Sequence, residues 1–324
     1  MAEELARPLL SWRFRPEGLE EQPMGKRVAV LVGGVEAARE SSAVSRGLRQ
    51  AGHEVSVLLA GERLEATLRA RTPDACFLAL GGPGGGDGQV QALLEKLALP
   101  YTGAGVLATA RATDRSCARG LLAHANLPVV RGYPAESGAD ALARHGDLGF
   151  PCWVAPARGG ARTELGPTQV EDEGGLTAAV ERVCAVGGSA VVEKRLRGRE
   201  VSVGLLDGQV LGSLEWVQGP RARRCSRPRL SPTRLGNVEV LGRAAYQTLG
   251  CRGYALVTLV CTEEDNEAVL EVNPRPALTP RGLFPRIARE AGLSFEAVLE
   301  RILALAALDV PRPVPAAPPL HQAA

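Results

Sequence analysis

This 324-residue chain has no apolar run approaching the roughly 20 residues that cross a bilayer, and its longest apolar stretches are strand-length and interrupted. No transmembrane helix is expected. Charge of one sign is not in excess either: 38 Lys and Arg stand against 36 Asp and Glu, a formal net charge of +2 that gives no reason to expect a nucleic-acid partner. Residues 1–25 (Met1 to Gly25) mix Trp12 with arginines and glutamates and lack the uninterrupted apolar core of a secretory signal, so the expected location is cytoplasmic. Seven cysteines (Cys76, Cys117, Cys152, Cys184, Cys225, Cys251, Cys261) show no C-x-x-C or Cys/His metal spacing. An odd, dispersed set of this kind reads as reduced, mostly buried thiols.

What is present is alternation. Arg27 to Leu31 is a short β-rich run ending in Gly33-Gly34; Ala37 to Gln50 has helical spacing; Glu54 to Ala60 is apolar again. Ala75 to Leu80 is a third buried-strand candidate, followed by the glycine loop Gly81 to Gly88 and a helix over Gln89 to Leu97. This order implies an α/β domain over residues 26–108, with a parallel sheet covered by helices and ligands at the carboxyl ends of its strands. A second, α+β region over 109–217 opens with a helix from near Thr109 to about Asn126. Strands follow at Cys152 to Ala157, Ala190 to Glu193 and Glu200 to Leu206, the last turning at Asp207-Gly208 into Gln209 to Val217. A third region over 218–309 pairs the helix Asn237 to Thr248 with strands Ala255 to Val260 and Ala268 to Val272 and ends in two amphipathic helices between Gly282 and Leu308. The tail, 310–324, has five prolines and reads as extended or disordered. The 25-residue extension has two readings, a start assigned upstream of Met24 or a functional arm.

One constellation carries chemistry. In Leu270-Glu271-Val272-Asn273-Pro274 a carboxylate and an amide lie two positions apart at a strand end, so both project to one face and can offer oxygens to one Mg²⁺ or meet a nucleotide phosphate. The bland alternative is a strand end with ordinary polar residues.

Several segments then align in order and spacing over nearly all of Lys26 to Leu308. Arg27-Val-Ala-Val-Leu-Val-Gly-Gly34, Ala79 to Gly88, Pro100-Tyr-Thr-Gly-Ala-Gly105, Glu193 with Gly198-Arg-Glu200, Cys251-Arg-Gly253, and Glu271-Val-Asn273 with Pro276 and Thr279 resemble the D-alanine:D-alanine ligases. The resemblance implies an N-terminal parallel-sheet (pre-ATP-grasp) domain followed by the two-lobed ATP-grasp fold. It also implies ATP-dependent synthesis of the D-alanyl-D-alanine dipeptide for peptidoglycan, with ATP or ADP and Mg²⁺ as cofactors and a homodimer formed through the N-terminal domain. It places Glu193 and Leu196 against the adenine, Glu200 on the ribose hydroxyls, Arg115 on a phosphate in place of a lysine, and Glu271 and Asn273 on the metal. Glu193 and Glu200 also read as surface charges flanking the basic run Lys194 to Arg197.

The chain departs from the family at positions that act in the reaction. Ala155 stands where the resemblance implies a phosphate-binding lysine, and Thr258 where it implies an aspartate on the metal. Leu256 replaces an arginine aimed at the reacting carboxyl group, Ala38 a glutamate for the substrate ammonium, and Gly81 a histidine. Gly159-Gly160-Ala161-Arg162 replaces a Glu-Gly-Ser-Ser loop, and Ala277 and Gly282 replace a glycine and a serine that face the second substrate. The lid segment Gly219 to Gly236 holds Arg221, Arg223, Arg224, Arg227, Arg229 and Arg234 and no acidic residue or tyrosine. It reads as a solvated or partner-facing loop, or as a source of one phosphate contact; without aromatics to stack on bases it does not read as a nucleic-acid site.

Losing one ammonium removes charge-assisted contacts of roughly 1.5–3 kcal/mol each, and Mg²⁺ favours carboxylates that are now fewer. Groups that act together are non-additive, so after the first loss the rest are easily lost. The expected function is therefore that of a pseudoenzyme of this family, with residual nucleotide binding and a protein of cell-wall synthesis as partner. The alternatives are an active ATP-grasp carboxylate-amine ligase with altered phosphate and substrate contacts, and a scaffold that binds no nucleotide.

Overall fold

A computed structural model describes residues 25–33, 38–80, 87–158, 165–186, 188–217, 224–264 and 266–309. Most of the N-terminal extension, Gly34, Gly81 and its glycine loop to residue 86, the Gly159 to Arg162 segment, Arg221 and Arg223 of the lid, and the proline-rich tail lie outside the described residues.

The first domain contains β1 (Arg27–Val32), α1 (Ala38–Gln50), β2 (Glu54–Leu59), α2 (Leu64–Arg71), β3 (Ala75–Ala79) and α3 (Gln89–Leu97). The strands form a parallel sheet in the order β2-β1-β3. β1 and β3 are nearly continuous apolar runs because both their faces are covered: Val28, Val30 and Phe77 join one core with Val44 and Leu48, while Ala29, Leu31 and Leu78 join another with Leu68 and Leu94. The edge strand β2 leaves Glu54, Val57 and Leu59 exposed.

The segment expected to be one helix from Thr109 to Asn126 is two, α4 (Val106–Thr113) and α5 (Arg115–His124). Asp114 interrupts them in an extended conformation (φ −92°, ψ 104°) and caps α5 by accepting the Cys117 amide at 2.9 Å. A short carboxylate at that position satisfies orphan N–H groups better as a cap than inside a helix. The break sets Arg115 at the first position of α5, with Arg119 one turn on along the same face.

The central sheet is antiparallel, with β4 (Gly132–Ala135), β5 (Cys152–Pro156), β6 (Thr168–Val170) and β7 (Ala190–Lys194) in the order β4-β7-β5-β6. Cys152, Val154, Ala190 and Val192 turn one face onto α6 (Gly138–His145) and α7 (Glu173–Cys184).

The last sheet contains β8 (Gly198–Leu206), β9 (Gln209–Val217), β10 (Arg224–Ser226), β11 (Tyr254–Thr262) and β12 (Glu267–Asn273), in the order β10-β9-β8-β11-β12. Asp207 and Gly208, at φ 51° and 70°, make the two-residue hairpin turn between β8 and β9. The sequence grouped this hairpin with the central lobe, up to residue 217, but its hydrogen bonds put it in the C-terminal sheet, where β8 pairs with β11 along its whole length. Local pattern identifies a hairpin and leaves open which sheet it joins. One face of this sheet packs on α8 (Pro232–Thr248), and part of the other packs on α9 (Leu283–Glu290) and α10 (Phe295–Ala304). Two glycine-bearing segments from opposite ends of the chain meet closely: a Cβ on Gly253 (φ 68°) would lie 2.9 Å from the Gly103 Cα, and the Arg252 guanidinium stacks 4.7 Å over the Tyr101 ring. Among the described residues no helix is long and apolar enough to cross a membrane.

Candidate functional site

In the central sheet and the C-terminal sheet, strand register decides which side chains share a face with the candidate residues. In the central sheet Trp153 is opposite Glu193 and Ala155 is opposite Val191, so these four share the face pointing away from α6 and α7. In the C-terminal sheet Thr258 is opposite both Glu271 and Ser202, and Leu256 is opposite Asn273, so the metal candidates Glu271, Asn273 and Thr258 occupy one face together with Leu256. Glu200, two residues before Ser202, is on that face too, half-buried. Leu196 is half-buried in the connection between β7 and β8.

On the central wall, Glu193 is only 5% exposed and is held by arginines. Arg119 Nη2 donates to its Oε1 at 2.5 Å, and Arg115 Nη1 lies 3.7 Å from Oε2. A nearly dry carboxylate requires such partners. Arg115, expected on a phosphate, is thus beside the carboxylate expected on the base, and Glu193 is no surface charge. Glu193, Glu271, Arg115 and Arg119 all border the space between α5, β7 and β12, which encloses only about 20 Å³. Ligand pockets run to roughly 300–1,000 Å³. Ala155 contributes neither charge nor donor and is 1% exposed.

On the opposite wall, Thr258 Oγ1 and Ser202 Oγ share a 2.9 Å hydrogen bond, and Asn273 Oδ1 accepts the Arg275 amide at 3.0 Å. Leu256 is 8% exposed and packs in the apolar core with Leu278, Phe284 and Ile287. The donor set for Mg²⁺ is therefore one carboxylate, one amide oxygen that accepts a single hydrogen bond, and a hydroxyl pair. Among the described residues no three His, Cys, Asp or Glu side chains converge. These residues supply one carboxylate to the Mg²⁺ centre that the resemblance implies and lack the second.

Of the positions expected to face the second substrate, Gly282 is structural in this chain. Gly282 precedes α9, its amide donating to the Thr279 carbonyl at 2.7 Å. Pattern reading singled out Ala38 and missed Glu40, one turn into α1, which is 3% exposed and accepts the Leu278 amide at 2.8 Å across 238 residues of sequence. The Tyr254 phenol beside it is pushed up by burial and by the Glu40 charge, so it stays protonated. Two of the described lid arginines bind their own lobe: Arg227 pairs with Glu290 at 3.0 Å and Arg234 with Glu267 at 2.5 Å. The Arg229 amide and Arg199 both serve the buried Glu215. Arg119 was likewise missed; its sequence cue was its spacing of four from Arg115 on a helix.

Comparison with known proteins agrees with this architecture. Residues 121–304 match the family model described as the D-ala D-ala ligase C-terminus. A D-alanine–D-alanine ligase of Anaeromyxobacter dehalogenans is 36% identical over 303 residues, covering 88% of this chain and 98% of the relative. That of Desulforudis audaxviator is 38% identical over 308 residues, covering 87% and 99%. Among solved structures, the D-alanine–D-alanine ligase of Bacillus anthracis complexed with ATP superposes with a TM-score of 0.79 at 25% identity, covering 87% of this chain and 97% of that one. The Coxiella burnetii enzyme, at 21% identity and a TM-score of 0.76, shows the shared fold.

Proposed function

The chain belongs to the D-alanine–D-alanine ligase family, and we propose that it keeps the family's fold and the base end of its nucleotide cleft without the ligase reaction. The observation that carries this reading is the cleft face of the C-terminal sheet, where Leu256 is packed into the core and Thr258, bonded to Ser202, stands opposite Glu271 in place of a second carboxylate. The ligase reaction passes through an acyl phosphate, and a site for it stabilises developing negative charge with cations placed in advance. Ala155, Leu256 and Thr258 supply none.

The ligand proposed for the cleft is an adenine nucleotide, ATP or ADP, as in the Bacillus anthracis relative solved with ATP. Leu196 would border the base and Glu200 would accept the ribose hydroxyls, with Glu193 the carboxylate nearest the base. Binding would be weak and nearly independent of Mg²⁺. The protein would act in the cytoplasm through contact with a protein of cell-wall synthesis, self-associating through its N-terminal domain.

A second reading, an active ligase with altered contacts, is favoured by one observation: Arg115 keeps a cation in the cleft, and at 3.7 Å from Glu193 it is not committed to a hydrogen bond. Phosphate release with ATP, Mg²⁺ and D-alanine separates the two. No D-alanine-dependent ADP formation is expected; turnover at the roughly 1–10³ s⁻¹ of ordinary enzymes establishes the second reading. Glu200→Ala is expected to abolish ADP binding in a calorimetric titration, and unchanged affinity would show that the ribose contact lies elsewhere.

A further inference from the structure

We propose that Arg119 is a gate on the base end of this cleft: its guanidinium occupies the Glu193 carboxylate that a ligand's amine would otherwise meet, and a ligand enters only as Arg119 leaves. This rests on the nucleotide reading above and adds how access to the site is controlled.

The two arginines and two carboxylates around the cleft, Arg115, Arg119, Glu193 and Glu271, balance in charge among themselves. Arg119 is the closest partner, donating to Glu193 Oε1, while Arg115 stands off Oε2 at 3.7 Å. The strand next to Glu193 makes room for this contact. Gly132 is paired directly opposite Glu193, and a Cβ there would lie 3.0 Å from Arg119 Nη1, besides meeting the Val192 carbonyl. The guanidinium therefore lies over a residue with no side chain. With Arg119 in place, only about 20 Å³ remains between α5, β7 and β12, too little for a purine.

The side chain also has somewhere to go. On its other side Arg119 borders an open groove of about 430 Å³, shared with Ser116, Arg131, Tyr133 and Arg144. A rotation about the unbranched stem would carry the guanidinium from Glu193 toward this groove. The entering group must replace what leaves, so it has to be a hydrogen-bond donor to a carboxylate, such as the exocyclic amine of a purine. Because Arg119 must first be displaced, the apparent affinity is lowered by the fraction of molecules with the cleft open.

The test is calorimetric titration of the full-length chain with ADP in the absence of Mg²⁺, using wild type, Arg119→Met, Arg119→Lys and the double variant Arg119→Met/Glu200→Ala. Methionine keeps the stem and removes the competing charge, so Arg119→Met is expected to bind ADP about tenfold tighter than wild type. Arg119→Lys, a point charge without the planar fork, is expected to fall between them, and the double variant to lose the gain. Affinity in Arg119→Met equal to or below a measurable wild-type value overturns the gate and leaves the nucleotide reading standing. Absence of ADP binding in wild type and Arg119→Met alike overturns both. A gain in Arg119→Met that survives Glu200→Ala overturns the placement of the gated ligand in this cleft. If Arg119→Met does not melt cooperatively, Arg119→Lys decides: affinity unchanged from wild type overturns the gate.

Discussion

The two faces of the C-terminal sheet are built from the same strands and have different fates. The face on α8 is apolar at its centre, with Val201, Val203, Ala255, Val257, Leu259 and Cys261 all buried, and takes Ser213 and the buried Glu215 only from β9. One residue along each strand, the cleft face carries Glu200, Ser202, Leu256, Thr258, Glu271 and Asn273. Because strand residues alternate between faces, the core face fixes the fold while its neighbours in sequence change independently. Replacing a charged group on a partly desolvated face also removes a desolvation cost, so loss of chemistry need not weaken the fold. This accounts for a chain that superposes on ligases while the positions where the resemblance implies reactive groups hold Ala155, Leu256 and Thr258.

The comparison can be broken at either face. The largest effect is expected on the core side: Leu259→Ala, at a fully buried position, should lower unfolding free energy by about 2–5 kcal/mol in a urea titration. A loss below 1 kcal/mol would mean that this face does not carry the fold. On the cleft side, Thr258→Asp puts a carboxylate directly opposite Glu271. It should cost only about 0.2–1 kcal/mol without a divalent ion, as like charges facing across strands do. Millimolar Mg²⁺ should restore its melting temperature and leave wild type unmoved. A wild-type melting temperature that rises with Mg²⁺ shows that the cleft face already holds the ion.

The smallest effect changes reactivity and leaves stability alone. Burial pushes the Cys261 thiol up to about 11, whereas Cys117 on α5 is exposed. A group raised in this way stays protonated through neutral pH, and the thiolate is the nucleophile. At pH 8 a thiol reagent should therefore label Cys117 within minutes and Cys261 only on unfolding. Fast labelling of Cys261 in the native state would show that the core face opens.

β1 and β3 of the parallel sheet were legible in the sequence because they are nearly continuous apolar runs covered on both sides, and β2 was legible from its apolar residues although Val57 and Leu59 are exposed. Elements on the central lobe's exterior were harder to read. The helix α7 has two poor helix formers in its first turn, Gly174 and Gly175, fixed by the Asp172 cap, which accepts the Gly175 amide at 2.7 Å. β6 and β10 have three residues each, too few to show a period. At the site, Glu271 and Asn273 were legible as a pair because their spacing alone puts them on one face. Glu40 and Arg119 were not, since each matters through one partner distant in sequence: the Leu278 amide for Glu40, and Glu193 for Arg119.

The sequence by itself determined the order of elements, the alternation of faces and the residue types at each reactive position, because these depend on period and composition along the chain. Only the tertiary structure decided that the β8–β9 hairpin belongs to the C-terminal sheet, that Leu256 is a core residue and that Glu193 is closed by Arg119. Each of these depends on which segments meet across long separations, where burial makes an unpaired carboxylate too costly to leave without a partner.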